Sequence, residues 1–189
     1  MKNLLSFRFL ALLSVFILFF GCTGSLNDST KGVAMDKKTA KQGDEVSVWY
    51  IGSFENGTLF DTNLRDQAVK AGLPERPNYD SLIFKIGEGS VIKGFEDAAV
   101  GMKENETKSV KIPPEEAYGA VRKDLVVLVD KSTVQDGDKL ILNSEVQASN
   151  GMYGRVTNVS GTNLTLDFNH PLAGKTLVFT ITVTKITSG

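Results

Sequence analysis

The side chains that most often carry chemistry are scarce in this chain of 189 residues. It has one cysteine, Cys22, and one histidine, His170. A disulfide within the chain and a zinc site built only from cysteine and histidine are therefore both impossible. We interpret His170 as a loop residue that forms hydrogen bonds rather than as a catalyst. We predict neither a metal site nor a cofactor.

Two other polar residues stand where a binding site is conceivable. Tyr118 precedes Gly119 in a turn, a setting that fits a binding role and simple packing about equally well. Asp61 follows Leu59 and Phe60, so it is either a site residue or the end of a strand. The phenylalanines, taken one by one, are most simply explained as core residues.

Composition indicates a soluble globular protein without a nucleic-acid partner. Hydrophobic residues make up 41% of the chain and charged residues 23%, which is ordinary for a folded domain. The formal net charge is −1, so the chain lacks the basic surface that binds nucleic acid. We expect a monomer.

The N-terminus has the pattern of an export signal. Lys2 and Arg8 precede an apolar run over residues 9–20, which is short for a membrane-spanning helix of about 20 residues. Cys22 follows this run directly, so the segment resembles a lipoprotein signal in which Cys22 carries the lipid.

We therefore predict a signal over residues 1–22, a flexible tether over residues 23–35 and an extracytoplasmic protein anchored to the cell membrane. An uncleaved N-terminal anchor is the alternative, and it gives the same location.

Alternating apolar and polar residues predict the strands that must position the candidate side chains. The Asn56-Gly57 pair predicts a hairpin after the first strand. Residues 62–80 are polar and contain two prolines, so we predict a long loop with a helical turn near residues 66–71. The predicted strands cover residues 45–50, 59–61, 82–86, 108–112 and 177–184.

One helix completes the first domain. Ile92, Phe95, Ala99 and Met102 are spaced by three or four residues, which predicts a helix over residues 91–102. We expect Ser90 to cap its start and either Gly101 or the turn after it to end it. Residues 36–120 and 169–189 then form about five strands wrapped on one helix.

A second β-rich unit is predicted between these two ranges, over residues 121–168. Turns at Gly137, Gly151 and Gly161 separate its strand-like pieces. The pieces are residues 124–130, 139–142, 154–158 and 163–167.

Six short motifs follow one another in a recognisable order across nearly all of the chain after the signal. They are VWYIG at 48–52, GTLFDT at 57–62, FKIGEG at 84–89, VIKGFE at 91–96, AYG at 117–119 and NHPLAGKTL at 169–177. Their order and spacing resemble FKBP-type peptidyl-prolyl cis-trans isomerases, and within them the SlyD-like branch with a domain inserted in the flap loop.

The resemblance implies an α+β fold, with an FKBP-like antiparallel sheet wrapped on one short helix and a small β-rich domain in the flap loop. It also implies an apolar pocket for a prolyl ring. Leu82 stands where single-domain relatives have an aromatic residue, and Phe95 where many of them have tryptophan. The implied catalytic residues are Tyr50, Asp61 and Tyr118, and the implied substrate-binding residues are Phe60, Phe84, Val91, Ile92, Phe95, Leu172 and Phe179.

The function implied by the resemblance is cis/trans isomerisation of Xaa-Pro bonds, with chaperone activity toward exported proteins. Its partners would be unfolded or proline-containing polypeptides, which residues 121–168 would hold near the pocket. A non-catalytic FKBP-like chaperone or adaptor at the membrane remains the alternative. A sugar- or surface-binding structural lipoprotein has little support beyond the anchor and the N-x-S/T triplets at Asn27, Asn56, Asn105, Asn158 and Asn163.

Overall fold

Two long strands at opposite ends of the sequence pair along their length and form the middle of a five-stranded sheet. In the computed structural model, which describes residues 37–189, these strands are β1, Glu45–Phe54, and β9, Leu177–Thr187. Their antiparallel register runs from Glu45 opposite Thr187 to Phe54 opposite Leu177, with one irregularity between Ser47 and Val48. Alternate residues of both strands face one buried core, as their alternating sequence predicts.

Two short strands share the other edge of β1. Strand β2, Leu59–Thr62, pairs with the second half of β1, and β3, Leu82–Lys85, pairs with the first half. Strand β4, Thr107–Ile112, pairs with the free side of β9. The loop between β2 and β3 must therefore leave the sheet and return to it along the same edge.

Helix α2, Lys93–Ala99, packs on the core face of this sheet. Its residues Phe95, Ala98 and Ala99 are buried, as is Gly94. A Cβ at Gly94 would lie 2.4 Å from Cγ2 of Ile112, so only glycine lets the helix approach β4 this closely. A second helix, α1, Arg65–Lys70, lies in the loop between β2 and β3.

A separate four-stranded sheet lies between β4 and β9 in sequence. Its spatial order is β5-β8-β7-β6, and Val156, Leu164 and Leu166 form its small buried core. Its strands are β5, Val126–Asp130, β6, Glu145–Gln147, β7, Tyr153–Ser160, and β8, Asn163–Asp167. Four 3-10 helices are also described: Pro114–Glu116, Lys123–Leu125, Lys131–Thr133 and Gly137–Lys139.

The predicted fold class is confirmed, because an antiparallel sheet wraps on one short core helix. The helical turn expected near residues 66–71 is also present as α1. The second sheet lies wholly within residues 121–168. That this range acts as a domain of its own remains a prediction.

Three local expectations were wrong. Ser90 does not cap α2, whose N-cap is Ile92 without a side-chain hydrogen bond. Residues 139–142 are not a strand: the left-handed backbone at Asp136, with φ 55°, leads into the 3-10 helix Gly137–Lys139, and an irregular segment follows that helix. Strand β6 was missed, since three residues are too few to show an alternating pattern.

The predicted signal over residues 1–22, with its lipid-bearing Cys22, and the tether over residues 23–35 lie outside the described residues. Within residues 37–189, no helix is long and apolar enough to cross a membrane.

Candidate active site

A cavity of about 470 Å³ opens between the five-stranded sheet and the start of helix α2. Strand β1 supplies Tyr50, β2 supplies Asp61 and β9 supplies Phe179, while the turn after the 3-10 helix Pro114–Glu116 supplies Tyr118. The full lining is Tyr50, Asp61, Leu82, Gly89, Ser90, Val91, Ile92, Phe95, Tyr118 and Phe179.

Phe95 sits at the centre of an aromatic cluster beneath this cavity. Its ring makes edge-to-face contacts with Tyr50 and Phe179, at centroid distances of 5.8 and 5.2 Å. Phe84 packs against it from the core side at 5.7 Å. Such pairs each contribute about 0.5–1.5 kcal/mol beyond their area burial, so the cavity has a rigid apolar floor.

Gly52 allows two of these rings to meet over strand β1. A Cβ at this position would lie 2.9 Å from Cε1 of Phe179 and 2.9 Å from Cζ of Phe60. Those two rings instead form an edge-to-face pair with centroids 5.7 Å apart. The space left by the missing side chain therefore sets the position of Phe179 in the cavity wall.

A chain of polar contacts borders the apolar floor. The Tyr50 hydroxyl donates a hydrogen bond of 2.8 Å to Oδ2 of Asp61. Arg76, from the loop between β2 and β3, donates from Nη2 to the other carboxylate oxygen, Oδ1. Burial, reinforced by the hydrogen bond to Asp61, raises the pKa of Tyr50 to about 12, so its phenol stays neutral.

The rim of the cavity is held by Glu96 on helix α2. Its Oε1 accepts hydrogen bonds from the backbone N–H groups of Gly87, at 2.9 Å, and Gly89, at 3.1 Å. These bonds tie the turn that follows β3 to the first turn of the helix. Ser90 and Val91, which come next, are thereby fixed against the opening.

Tyr118 stands at the mouth, with its ring stacked on that of His170. The two ring centroids are 3.9 Å apart and the planes are parallel within 1°. A backbone hydrogen bond of 2.8 Å from Gly174 N–H to the Gly119 carbonyl joins the two turns that carry them. Burial, and then the charge of Asp61, raises the pKa of Tyr118. Among residues 37–189 its hydroxyl has no hydrogen-bond partner, so it is available to a ligand.

Seven of the ten residues that the sequence predicted line the cavity: Tyr50, Asp61, Val91, Ile92, Phe95, Tyr118 and Phe179. Phe84 and Phe60 lie behind them and support the rings of Phe95 and Phe179. Leu172 packs against the core rather than lining the cavity. Their predicted contacts with substrate, like the catalytic roles, stay predictions.

Sequence reasoning missed the supporting residues Arg76, Gly52 and Glu96. Gly52 and Glu96 belong to the quoted motifs, so a packing or hydrogen-bonding role could have been sought there. Arg76 carries no such signal, because it lies in a polar loop 15 residues after Asp61 and meets it only through the fold.

The arrangement suits the binding of a small apolar ring attached to polar main chain. Apolar walls exclude water. The hydrogen-bonded Tyr50–Asp61 pair and the Tyr118 hydroxyl, which is unpaired among residues 37–189, lie at the edge, where carbonyl groups of a ligand can approach them. Within the described part of the chain, no cluster of three or more histidine, cysteine or acidic residues could hold a metal ion.

Comparison with known proteins gives one family. The model of the FKBP-type peptidyl-prolyl cis-trans isomerase family matches residues 36–184. A short-type peptidyl-prolyl cis-trans isomerase of Methanocaldococcus jannaschii is 39% identical over 145 residues, which cover 76% of this chain and 91% of that protein. A probable FKBP-type 16 kDa isomerase of Pseudomonas fluorescens is 31% identical, covering 75% of this chain and 88% of its own length. SlyD of Treponema pallidum is 38% identical over 109 residues, covering 56% and 62%.

The raised pKa of Tyr50 is open to direct measurement. We expect the tyrosinate absorbance of the folded protein, titrated at high pH, to lose a component near pH 12 when Tyr50 is replaced by phenylalanine. The neutral phenol is favoured in the folded state, so this contribution to stability is complete below pH 10 and is lost as the pH rises through about 12. Circular dichroism at each pH must show that the protein is still folded. A difference that titrates near pH 10.0, the ordinary tyrosine value, would contradict the geometry.

Proposed function

We propose that the cavity above Phe95 binds the Xaa-Pro segment of a substrate and catalyses its cis/trans isomerisation. The chain belongs to the family of FKBP-type peptidyl-prolyl cis-trans isomerases. The protein is a peptidyl-prolyl cis-trans isomerase, and its substrates are proline-containing polypeptides. The observation that carries the assignment to this cavity is the combination of an aromatic floor with two tyrosine hydroxyls at its edge.

The cavity lowers the barrier by preferring a twisted amide. Rotation about the peptide C–N bond breaks its partial double bond, with a barrier of about 18–20 kcal/mol. The planar amide has more charge separation than the twisted one, so an apolar, water-excluding cavity stabilises the twisted form relative to the planar form. Ile92, Phe95 and Phe179 supply these apolar walls around the prolyl ring.

The polar groups orient the chain while the bond turns. Tyr118, whose hydroxyl has no partner among residues 37–189, donates a hydrogen bond to a substrate carbonyl. Tyr50 and Asp61, which are hydrogen-bonded to each other, form a polar edge next to the carbonyl of the isomerising Xaa-Pro bond. A non-catalytic adaptor would not need Tyr50 and Asp61 to be held in order at the cavity edge. We therefore favour a catalytic pocket over a vestigial one.

We further propose that the second sheet gives the enzyme chaperone activity. Large apolar side chains are exposed to water on and beside this sheet: Leu128 on β5 is 69% exposed, Tyr153 on β7 is 72% exposed, and Ile141 in the segment before β6 is 70% exposed. Strand β5 pairs only with β8 within residues 37–189, so its other edge is open to an extended chain. Exposed apolar surface and an open strand edge are the features that bind unfolded polypeptide.

Holding an unfolded chain on this sheet would raise its concentration at the cavity. The sheet is joined to the isomerase part by a pair of hydrogen bonds between Arg122 and Asn169, of 2.8 and 2.9 Å, where the chain enters and leaves it. We therefore propose that residues 121–168 act as an inserted substrate-binding domain.

We propose that the enzyme works outside the cytoplasm on exported proteins, tethered to the membrane through a lipid on Cys22. The support is the charged, then apolar, then cysteine pattern of residues 1–22 and the polar tether that follows. We also propose that it acts as a monomer, because one chain supplies the whole cavity lining.

The cavity is tested by the cis/trans exchange rate of a short Xaa-Pro peptide, measured with the fragment from Gly24 onward. We expect Asp61→Ala to lower kcat/KM roughly ten- to a hundredfold, since it removes hydrogen bonds to a charged group. Tyr118→Ala should lower it by at least about fivefold, because it removes one neutral hydrogen bond and also the ring that lines the cavity and stacks on His170. The rate per molecule should not depend on protein concentration if a single chain forms the site. If both folded variants keep full isomerase activity, the assignment of the active site to this cavity is wrong.

The second sheet is tested by separating peptide turnover from protein refolding. Leu128→Ser combined with Tyr153→Ser should leave the exchange rate of a short peptide unchanged and slow the catalysed refolding of a proline-limited protein severalfold. Val69→Ser is the matched control, because Val69 is 67% exposed but lies on α1 outside that sheet. Equal refolding rates for the double variant and the control would remove the chaperone role.

The anchor is tested in cells. Cys22→Ser should move the protein from the membrane fraction to the soluble extracytoplasmic fraction and abolish incorporation of labelled fatty acid. Retention of Cys22→Ser in the membrane, with no label on the wild-type protein, would favour an uncleaved N-terminal anchor instead.

A further inference from the structure

A second cavity, of about 460 Å³, adjoins the proline cavity on the side of the long loop between β2 and β3. Its lining consists of Tyr50, Asn63 and residues 76–83, and we call it the side groove. Tyr50 and Leu82 line both cavities, so the two lie next to each other at these side chains. The isomerisation chemistry described above makes no use of the side groove.

The side groove is a built feature of the fold. It lies where β2 and β3 leave a gap along β1, and the buried side chain of Asn63 fills that gap. Asn63 accepts a hydrogen bond of 2.8 Å from Tyr50 N–H and donates to the carbonyls of Val48, at 3.0 Å, and Asp80, at 3.2 Å. These bonds fix the returning end of the loop beside the proline cavity.

The groove carries one uncompensated negative charge. Arg76, at the end nearest the proline cavity, forms its ion pair with Asp61, so these two charges cancel. Asp80 is exposed, and within residues 37–189 its carboxylate has no hydrogen-bond or ion-pair partner. No lysine lines the groove. The half-buried ring of Tyr79 lies next to Asp80 in the lining, and an aromatic face attracts a cation.

We propose that the side groove binds the stretch of substrate chain next to the proline and that Asp80 makes it favour a lysine or arginine there. The proposal rests on the assignment of the first cavity to the prolyl ring. A polypeptide held by its proline must continue beyond the cavity, and the side groove adjoins the cavity at Tyr50 and Leu82. The remaining N–H groups of Arg76 can donate to main-chain carbonyls of that stretch, whatever its sequence.

Matched peptides test the selectivity. A short blocked Xaa-Pro peptide fills only the proline cavity, and longer peptides extend it on both sides with a single lysine, serine or glutamate at one flanking position. We measure kcat/KM by exchange and Kd by calorimetry for each, with the purified protein. On one side of the proline, kcat/KM should be about two- to fivefold higher, and Kd lower by the same factor, for the lysine peptide than for the glutamate peptide, as expected for an exposed charge pair. The difference should shrink at high salt.

Asp80→Asn should remove this preference and leave the short peptide unaffected. Asp66→Asn is the charge-matched control, because Asp66 is exposed on α1 and outside the groove lining. The proposal is overturned if the two variants behave alike, if glutamate is preferred, or if Asp80→Asn slows the short peptide as much as the long ones.

The experiment distinguishes a wrong assignment of the proline cavity from a wrong assignment of the side groove. If the wild-type protein does not accelerate the short peptide, the assignment of the proline cavity fails, while the lysine preference in Kd still tests the groove. If the short peptide is turned over but neither kcat/KM nor Kd distinguishes lysine from glutamate, the groove proposal alone is wrong.

Discussion

The antiparallel pairing of β1 with β9 is the contact on which the rest of the molecule depends. It joins residues near position 50 to residues near position 180 through a continuous ladder, across the whole inserted segment. Gly52 lies opposite Phe179 in this register, and that pairing is what brings Phe179 over the cavity. Because side chains alternate along a strand, a slip of one residue between β1 and β9 would put Tyr50 and Phe179 on opposite faces of the sheet and abolish the site.

The core and the cavity share the same aromatic rings. Phe95 is buried in the main hydrophobic cluster and also forms the cavity floor, and Phe84 supports it from beneath. A site of this kind needs no mobile catalytic group, because its action comes from the shape and dryness of rigid apolar walls. Stability and activity are therefore coupled here, since any change that loosens the aromatic packing also changes the cavity.

The sheet edge next to β1 explains how a long polar loop becomes part of the site. Strands β2 and β3 both pair with β1, so the loop between them must begin and end beside Tyr50. Asn63 closes the gap with three hydrogen bonds, and Arg76 reaches back to Asp61. This long polar loop thus forms one wall of the side groove and completes the polar edge of the cavity.

The sequence by itself determined the strands of the five-stranded sheet and the core helix, because these depend on local alternation and on helical spacing. The cavity residues Phe95, Ile92 and Phe179 followed from the resemblance of the short motifs to the FKBP family. Only the tertiary structure decided that Arg76 meets Asp61, that Tyr118 stacks on His170 and that Phe84 supports the floor instead of lining it. The physical reason is distance along the chain: contacts between residues far apart in sequence, or in an irregular loop, follow from strand pairing and packing, which no local pattern encodes.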